Sequence, residues 1–161
     1  MVYDVVVVGG GRIGSITALF LSNMGLNVLV IEDNPSMVKI LRERYGLDVF
    51  KANIFSSSVD NLLKSSNVVA LALPGSIGFN GLEKTLRLGV KSIVDISYMA
   101  KDPLVLNDVA QSKGSIAIVD AGLAPGPNNS SVGHVYSMLS IVKDVLIYVS
   151  SLSKDPRCSL D

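Results

Sequence analysis

Residues 5–14 constrain the fold of this chain more than any other segment. Four consecutive valines, Val5 to Val8, predict a strand that is buried on both faces, as strands of parallel sheets are. Gly9, Gly11 and Gly14 follow with Gly-x-Gly-x-x-Gly spacing, and residues 13–21 have the pattern of a helix. A glycine-rich turn between a strand and a helix is typical of a site that holds the pyrophosphate of a dinucleotide.

Strands and helices alternate along residues 1–120. We predict strands at 3–8, 27–31, 48–51, 67–73, 91–96 and 115–120. The helices between them are predicted at 12–24, 35–45, 56–65, from the 74–76 loop to residue 88, and from 102 to about 114. Two successive β-α-β-α-β halves predict a doubly wound α/β fold, a parallel Rossmann sheet with strand order 3-2-1-4-5-6 and right-handed crossovers.

Residues 121–161 depart from this alternation. A loop rich in Gly, Pro and Asn at 121–129 precedes a predicted helix at 130–140 and a predicted strand at 144–150. We therefore divide the chain into a dinucleotide-binding domain, residues 1–120, and the truncated start of a substrate or dimerisation domain, residues 121–161. An apolar strand without a partner exposes backbone groups that seek pairing, so we expect 144–150 to pair across a homodimer or to be disordered.

Composition and charge argue against several function classes. The 14 Lys and Arg residues balance the 14 Asp and Glu residues, and the sequence has no basic patch. It therefore does not predict nucleic-acid binding. Mean hydropathy is high at +0.46, but the apolar runs fall well short of the roughly 20 residues of a membrane helix. The start of the chain directly at strand one and a single cysteine, Cys158, fit a cytoplasmic protein, in which we expect Cys158 to be an inert thiol.

Two acidic residues after strand two predict the cofactor. Glu32 lies about twenty residues past the glycines, where a carboxylate binds the adenosine ribose hydroxyls. Asp33 follows, and a 2′-phosphate would face both carboxylates; one such contact at 4 Å costs about 4 kcal/mol at an effective dielectric near 20. We therefore predict NAD(H) rather than NADP(H). The alternative is that Glu32 and Asp33 only cap the next helix.

The other cofactor contacts are expected at the carboxyl ends of the strands. Backbone N–H groups at the start of the first helix would face the phosphates. A polar residue after strand three would touch adenine or its ribose, and the loop after strand four would border the nicotinamide ribose. With Glu32 and Asp33, the predicted contacts are Gly9, Gly11, Arg12, Ile13, Gly14, Asn53, Leu73 and Pro74.

Two later loops resemble those of a known family. Asp95-Ile96-Ser97-Tyr98 follows strand five, and Asp-Ala-Gly-Leu-Ala-Pro-Gly at 120–126 follows strand six. Over residues 1–161 the chain resembles the saccharopine dehydrogenase family, in the branch that includes lysine 6-dehydrogenase. Saccharopine reductases tend to have Leu-Asp-Pro-Gly and a later His in the second loop, where this chain has Ala124 and Asn129. That difference favours the lysine dehydrogenase-like branch.

The resemblance implies an NAD-dependent oxidoreductase that acts on an amino acid. Hydride would pass between nicotinamide C4 and an amine-bearing carbon, and the substrate domain would lie largely beyond residue 161. The resemblance also implies that the two loops border nicotinamide and substrate. The candidate catalytic residues are Ser97, Tyr98, Asp120 and Gly122, and the further cofactor contacts are Pro125 and Gly126.

No residue of these loops is an evident general base at neutral pH. Asp95 and Asp120 would qualify only if their surroundings raised the pKa of the carboxyl group. His134 is the sole histidine, and we expect it to have a structural or surface role. No metal site is predicted.

The alternative function is a sensor without catalysis. Residues 1–73 also resemble NAD-binding regulatory domains of potassium-transport systems, which share Gly-x-Gly-Arg-x-Gly and an acidic residue at the end of strand two. Those domains usually have Gly-Asp-Ala after strand three, where this chain has Lys51-Ala52-Asn53, and they lack the 120–126 loop. An FAD enzyme could use the same first turn, but the alternation after strand three disfavours it.

Overall fold

A computed structural model describes residues 2–148. Its six parallel strands are ordered β3-β2-β1-β4-β5-β6. The strands are β1 (Val5–Val8), β2 (Val28–Glu32), β3 (Asp48–Lys51), β4 (Val68–Leu71), β5 (Ser92–Asp95) and β6 (Ile116–Ile118). The helices are α1 (Arg12–Asn23), α2 (Pro35–Glu43), α3 (Asp60–Ser65), α4 (Gly75–Arg87), α5 (Asn107–Lys113) and α6 (Pro127–Met138), with 3-10 turns at Ser57–Val59 and Pro103–Leu106. The predicted Rossmann sheet and its strand order are confirmed.

The four valines of β1 are buried because the sheet has a core on each face. Val6 and Val8 belong to one apolar cluster, which includes Leu82 of α4. Val5 and Val7 belong to the other, which includes Leu41 of α2. Successive side chains of a strand point to opposite faces, so a strand covered on both sides needs an apolar residue at every position. Burying each such side chain contributes roughly 1.5 kcal/mol or more.

The chain after β6 differs from the sequence prediction in two respects. Helix α6 begins at Pro127 rather than at 130, because proline suits the first helical turn and Gly126, with φ 143°, ends the loop before it. Residues 144–148, the described part of the strand predicted at 144–150, have no regular structure in the single chain, and their pairing across a homodimer stays a prediction. A strand needs a neighbouring backbone to pair with, and the described residues supply none there. Residues 149–150 and Cys158 lie outside the described residues.

Candidate dinucleotide-binding site

The turn between β1 and α1 packs tightly against its neighbours. Gly9 has φ +96°, a conformation that favours glycine, and its N–H donates to the Ile31 carbonyl at 2.9 Å. A Cβ on Gly14 would overlap the Gly9 carbonyl oxygen, so α1 can approach the turn this closely only with glycine there. The Ser15 N–H donates to the Gly11 carbonyl at 2.9 Å as α1 begins. The amino end of α1, which attracts anions, therefore lies at the turn.

Glu32 joins the glycine turn to the end of β2. Its Oε2 accepts a hydrogen bond from the Gly10 N–H at 2.6 Å, and its Oε1 accepts one from the Asn34 N–H at 2.8 Å. Each carboxylate oxygen can accept more than one hydrogen bond, so Glu32 can hold the turn and still bind ribose hydroxyls. Spacing predicts a ribose role for Glu32, but it does not predict the bond to Gly10, which depends on how β1 and β2 pair.

Asp33 and Asn53 meet at the ends of β2 and β3. Asn53 Nδ2 donates to Asp33 Oδ2 at 2.7 Å, and Asn53 Oδ1 accepts from the Phe55 N–H at 2.9 Å. The N-cap of α2 is Asn34, whose Oδ1 accepts from two N–H groups of the first helical turn. The alternative that Glu32 and Asp33 serve only as caps is therefore wrong, because both lie before the capping position.

These residues line an open cleft of about 480 Å³ at the carboxyl ends of β1, β2 and β4. Its size suits a small ligand or cofactor. The predicted residues in its lining are Gly9, Gly11, Arg12, Ile13, Glu32, Asp33, Asn53, Leu73 and Pro74. Gly14 is buried behind the turn and does not line the cleft. Sequence reasoning missed the apolar lining formed by Val8, Ile31, Ala52, Ile54, Ala72 and Ile77, which looks like ordinary core in the sequence.

A second pocket, of about 540 Å³, adjoins the cleft through the shared residue Ile13. It brings together the predicted residues Ser97, Tyr98, Asp120, Gly122 and Pro125. Thr17 also lines it and was missed, although it lies four residues after Ile13 on the same face of α1. Gly126 lies in a neighbouring depression. Pro125 and Gly126, predicted to contact the cofactor, thus lie outside the lining of the nucleotide cleft.

Asp95 is a buried carboxyl group at the end of β5. Its Oδ1 accepts from the Ser97 N–H at 2.6 Å, whereas Oδ2 has no hydrogen-bond partner among the described residues. Burial raises the pKa of Asp95 to about 6, the hydrogen bonds of Ser97 oppose the rise, and the charge of Asp120 adds to it. Asp95 lines neither pocket, so a raised pKa alone does not place it next to a reacting atom.

The two candidate catalytic side chains after β5 differ sharply in exposure. Ser97 is only 3% exposed, and its Oγ accepts from the Leu73 N–H at 3.2 Å. Tyr98 is 79% exposed at the mouth of the second pocket. Ser97 therefore contributes to the structure of the loop, while Tyr98 is accessible to a bound molecule.

His134 lies exposed on α6 and lines neither pocket, as expected of a surface residue. Within residues 2–148, no three His, Cys, Asp or Glu side chains are grouped so that they could bind a metal ion. In the same part of the chain, no helix combines the length and apolar character needed to span a membrane.

Residues 5–73 match the family model of the TrkA-N domain. The matched segment begins at β1 and ends just after β4, so it contains the glycine turn and most of the cleft lining. No curated protein sequence matches the chain.

Solved structures of the same fold include both a TrkA-N domain and dehydrogenases. The TrkA-N domain of the inner membrane protein ybaL from Escherichia coli is 19% identical with a TM-score of 0.63, covering 84% of this chain and 98% of that one. Apo histidine-tagged saccharopine dehydrogenase (L-Glu forming) from Saccharomyces cerevisiae is 19% identical with a TM-score of 0.66, covering 84% and 32%. GenD2 from gentamicin A biosynthesis, in complex with NAD, is 19% identical with a TM-score of 0.56, covering 81% and 38%.

The chain thus spans about a third of the yeast enzyme and somewhat more of GenD2. At these identities the likeness shows the fold alone. Fold, cleft and family match agree over the same segment: residues 5–73 form the first four strands of a Rossmann fold and are similar in sequence to the TrkA-N domain.

Proposed function

We propose that the cleft binds NAD(H). The observation that carries this proposal is the pairing of Glu32 with the glycine turn, which puts a carboxylate and the amino end of α1 in one cleft. Glu32 would accept hydrogen bonds from the adenosine ribose hydroxyls, and the turn would hold the pyrophosphate. The TrkA-N match and the NAD named with GenD2 both support this cofactor.

The preference for NAD(H) over NADP(H) follows from the charges beside the ribose. Glu32 and Asp33 both line the cleft, and the partner of Asp33 there is the neutral amide of Asn53. A 2′-phosphate would bring at least one more negative charge against two carboxylates, and that repulsion is strongest where water is displaced.

Calorimetric titration tests this preference. We expect NADH to bind at least tenfold more tightly than NADPH, equivalent to about 1.4 kcal/mol. Asp33→Asn removes one charge while retaining an oxygen that can accept from Asn53. It should therefore reduce the ratio of NADH affinity to NADPH affinity, with little change in the affinity for NADH. Tighter binding of NADPH than of NADH by the wild-type protein would overturn the proposal.

We propose further that the complete protein is an amino-acid oxidoreductase, as its resemblance to the lysine 6-dehydrogenase-like branch implies. Bound NAD⁺ would accept a hydride from an amine-bearing carbon of the substrate. The second pocket supports this proposal because it adjoins the cleft at Ile13 and exposes Tyr98, with Asp120 and Gly122 in its lining. Tyr98 and Asp120 offer polar groups that could orient an amine, and the loop at 121–125 would exclude water from one side.

A turnover assay distinguishes this proposal from the alternative. The complete protein, with the substrate domain expected beyond residue 161, is incubated with NAD⁺ and single amino acids, including lysine and saccharopine, and formation of NADH is followed by absorbance. We expect NADH to form with at least one of them. Binding of NADH without turnover of any amino acid would contradict the enzyme proposal and favour a regulatory module.

The regulatory alternative has its own support. Residues 5–73 match the TrkA-N domain, and this chain covers 98% of the TrkA-N structure from ybaL. In this second candidate function, NAD(H) binding would alter a partner protein, such as a component of a potassium-transport system, and no bond in a substrate would change.

We also propose a cytoplasmic homodimer. The segment after α6 exposes large apolar side chains, among them Ile141 at 80%, Leu146 at 77% and Tyr148 at 91%. A single copy leaves this apolar surface in water, whereas pairing with a second copy would bury it. A monomeric mass in sedimentation equilibrium would contradict the dimer.

A further inference from the structure

We propose that Asp95 and Ser97 are positioning residues, which fix the wall of the cleft where the nicotinamide half of the cofactor would lie. Neither residue lines that cleft. The inference rests on the proposed binding of NAD(H), and it gives these two buried side chains a role distinct from catalysis.

A short chain of hydrogen bonds links Asp95 to the cleft. The Ile96 N–H donates to the Leu71 carbonyl at 3.0 Å, in the manner of the β4–β5 pairing. Beyond the end of β4, the Leu73 N–H donates to the Ser97 hydroxyl at 3.2 Å. Ser97 is held in turn, because its own N–H donates to Asp95 Oδ1 at 2.6 Å. The Ser97 side chain thus joins the loop after β5 to the loop after β4, next to Leu73, which forms part of the cleft wall.

Close packing makes this link sensitive to small changes. A Cβ on Gly78 would lie 2.7 Å from Ser97 Cβ, and a Cβ on Gly75 would overlap the Tyr98 carbonyl oxygen. The first turns of α4 therefore rest directly on residues 97–98. The same turns carry Ile77, which lines the cleft with Leu73 and Pro74. A shift of Ser97 would move this wall.

The wall is separate from the residues that would bind the adenosine half. Glu32 and Asn53 lie at the ends of β2 and β3, and β1 lies between those strands and β4. Loss of the Ser97 hydroxyl should therefore weaken binding of a full dinucleotide and spare a ligand that occupies the adenosine end alone. A residue with a purely structural role would affect both ligands or neither.

The test compares NADH with AMP in calorimetric titrations of four proteins. Ser97→Ala leaves the Leu73 N–H without its acceptor, and we expect the affinity for NADH to fall about tenfold while the affinity for AMP stays unchanged. Asp95→Asn keeps an oxygen that can accept from the Ser97 N–H, so it should keep most of the NADH affinity. Ser115→Ala is the control, since Ser115 is also a buried serine, but its hydroxyl has no hydrogen-bond partner among the described residues and it precedes β6, at the opposite end of the sheet.

The outcomes separate this inference from the function on which it rests. Failure of the wild-type protein to bind NADH would overturn both. Binding by the wild type with an equal loss of NADH and AMP in Ser97→Ala, or with no loss of either, would overturn the positioning role alone. Thermal unfolding of each variant without ligand checks that the variant is folded at the titration temperature. The measured affinities then refer to folded protein.

Discussion

Replacing Gly11 by alanine is expected to lower NADH affinity at least tenfold, about 1.4 kcal/mol, without impairing the fold. Gly11 has φ −63° and ψ −163°, a backbone conformation open to any residue, and, apart from its chain neighbours, no described residue has a heavy atom within 4 Å of the position its Cβ would take. Because Gly11 lines the cleft, the added methyl group would occupy space that the pyrophosphate needs. The free energy of unfolding should change by less than about 1 kcal/mol, since alanine is a poorer N-cap than glycine but loses less backbone entropy on folding.

Gly14→Ala provides the contrasting variant. Its Cβ would overlap the Gly9 carbonyl oxygen, a backbone atom that cannot swing aside, so we expect a destabilisation of about 1–3 kcal/mol or more and loss of binding as well. Gly133→Ala is the control, because Gly133 lies in the exposed middle of α6 and, apart from the backbone of α6 itself, its new Cβ would have no described neighbour within 4 Å. Its free energy of unfolding should rise by up to about 1 kcal/mol. Chemical denaturation and NADH titration measure the two effects separately. A folded Gly11→Ala protein with unchanged NADH affinity would mean that the phosphates do not bind at this turn.

The second large effect concerns the stability of the protein at neutral pH. Burial raises the pKa of Asp95 from an ordinary value of 3.8 to about 6, so between these values the folded protein binds more protons than the unfolded chain. The free energy of unfolding therefore falls as the pH rises from about 4 to 6, and the loss persists above 6. Two pKa units correspond to about 3 kcal/mol. Asp95→Asn has no such loss, so its stability relative to wild type should rise by up to that amount between pH 4 and pH 7.5.

Chemical denaturation of wild type and Asp95→Asn over this pH range measures the effect. Asp120→Asn offers a graded comparison, because the charge of Asp120 is the smallest of the causes that act on the pKa of Asp95. Asp120→Asn should show only a small part of the rise in the free energy of unfolding that is expected for Asp95→Asn. Parallel pH profiles for wild type and Asp95→Asn would contradict the raised pKa.

The glycine turn and its acidic partner were predictable because their signals are local. Val5 to Val8, the glycine spacing and Glu32 lie in sequence order along one β-α-β unit, and the unit folds as that order requires. The strand order followed from the repeated alternation of strands and helices. Asn34 directly precedes Pro35, so the sequence also indicates Asn34, rather than Asp33, as the N-cap of α2.

The contacts that complete the site join residues far apart in the chain. Gly10 with Glu32, Asp33 with Asn53 and Leu73 with Ser97 are separated by 22, 20 and 24 residues. Each pair forms only because parallel strands bring their carboxyl ends to one edge. Residues 144–148 have no regular structure in the single chain for the related reason that an apolar run becomes a strand only where another backbone pairs with it.

The sequence by itself determined the fold class, the place of the glycine turn and the acidic residues at the end of β2, because periodicity and spacing are properties of neighbouring residues. Only the tertiary structure decided that Glu32 also holds the turn and that Asp95 is buried with one oxygen unpartnered. It also decided that Pro125 lies in a second pocket rather than in the nucleotide cleft. Burial and hydrogen bonding depend on which segments the packed sheet and helices bring together, and no single stretch of the chain contains that information.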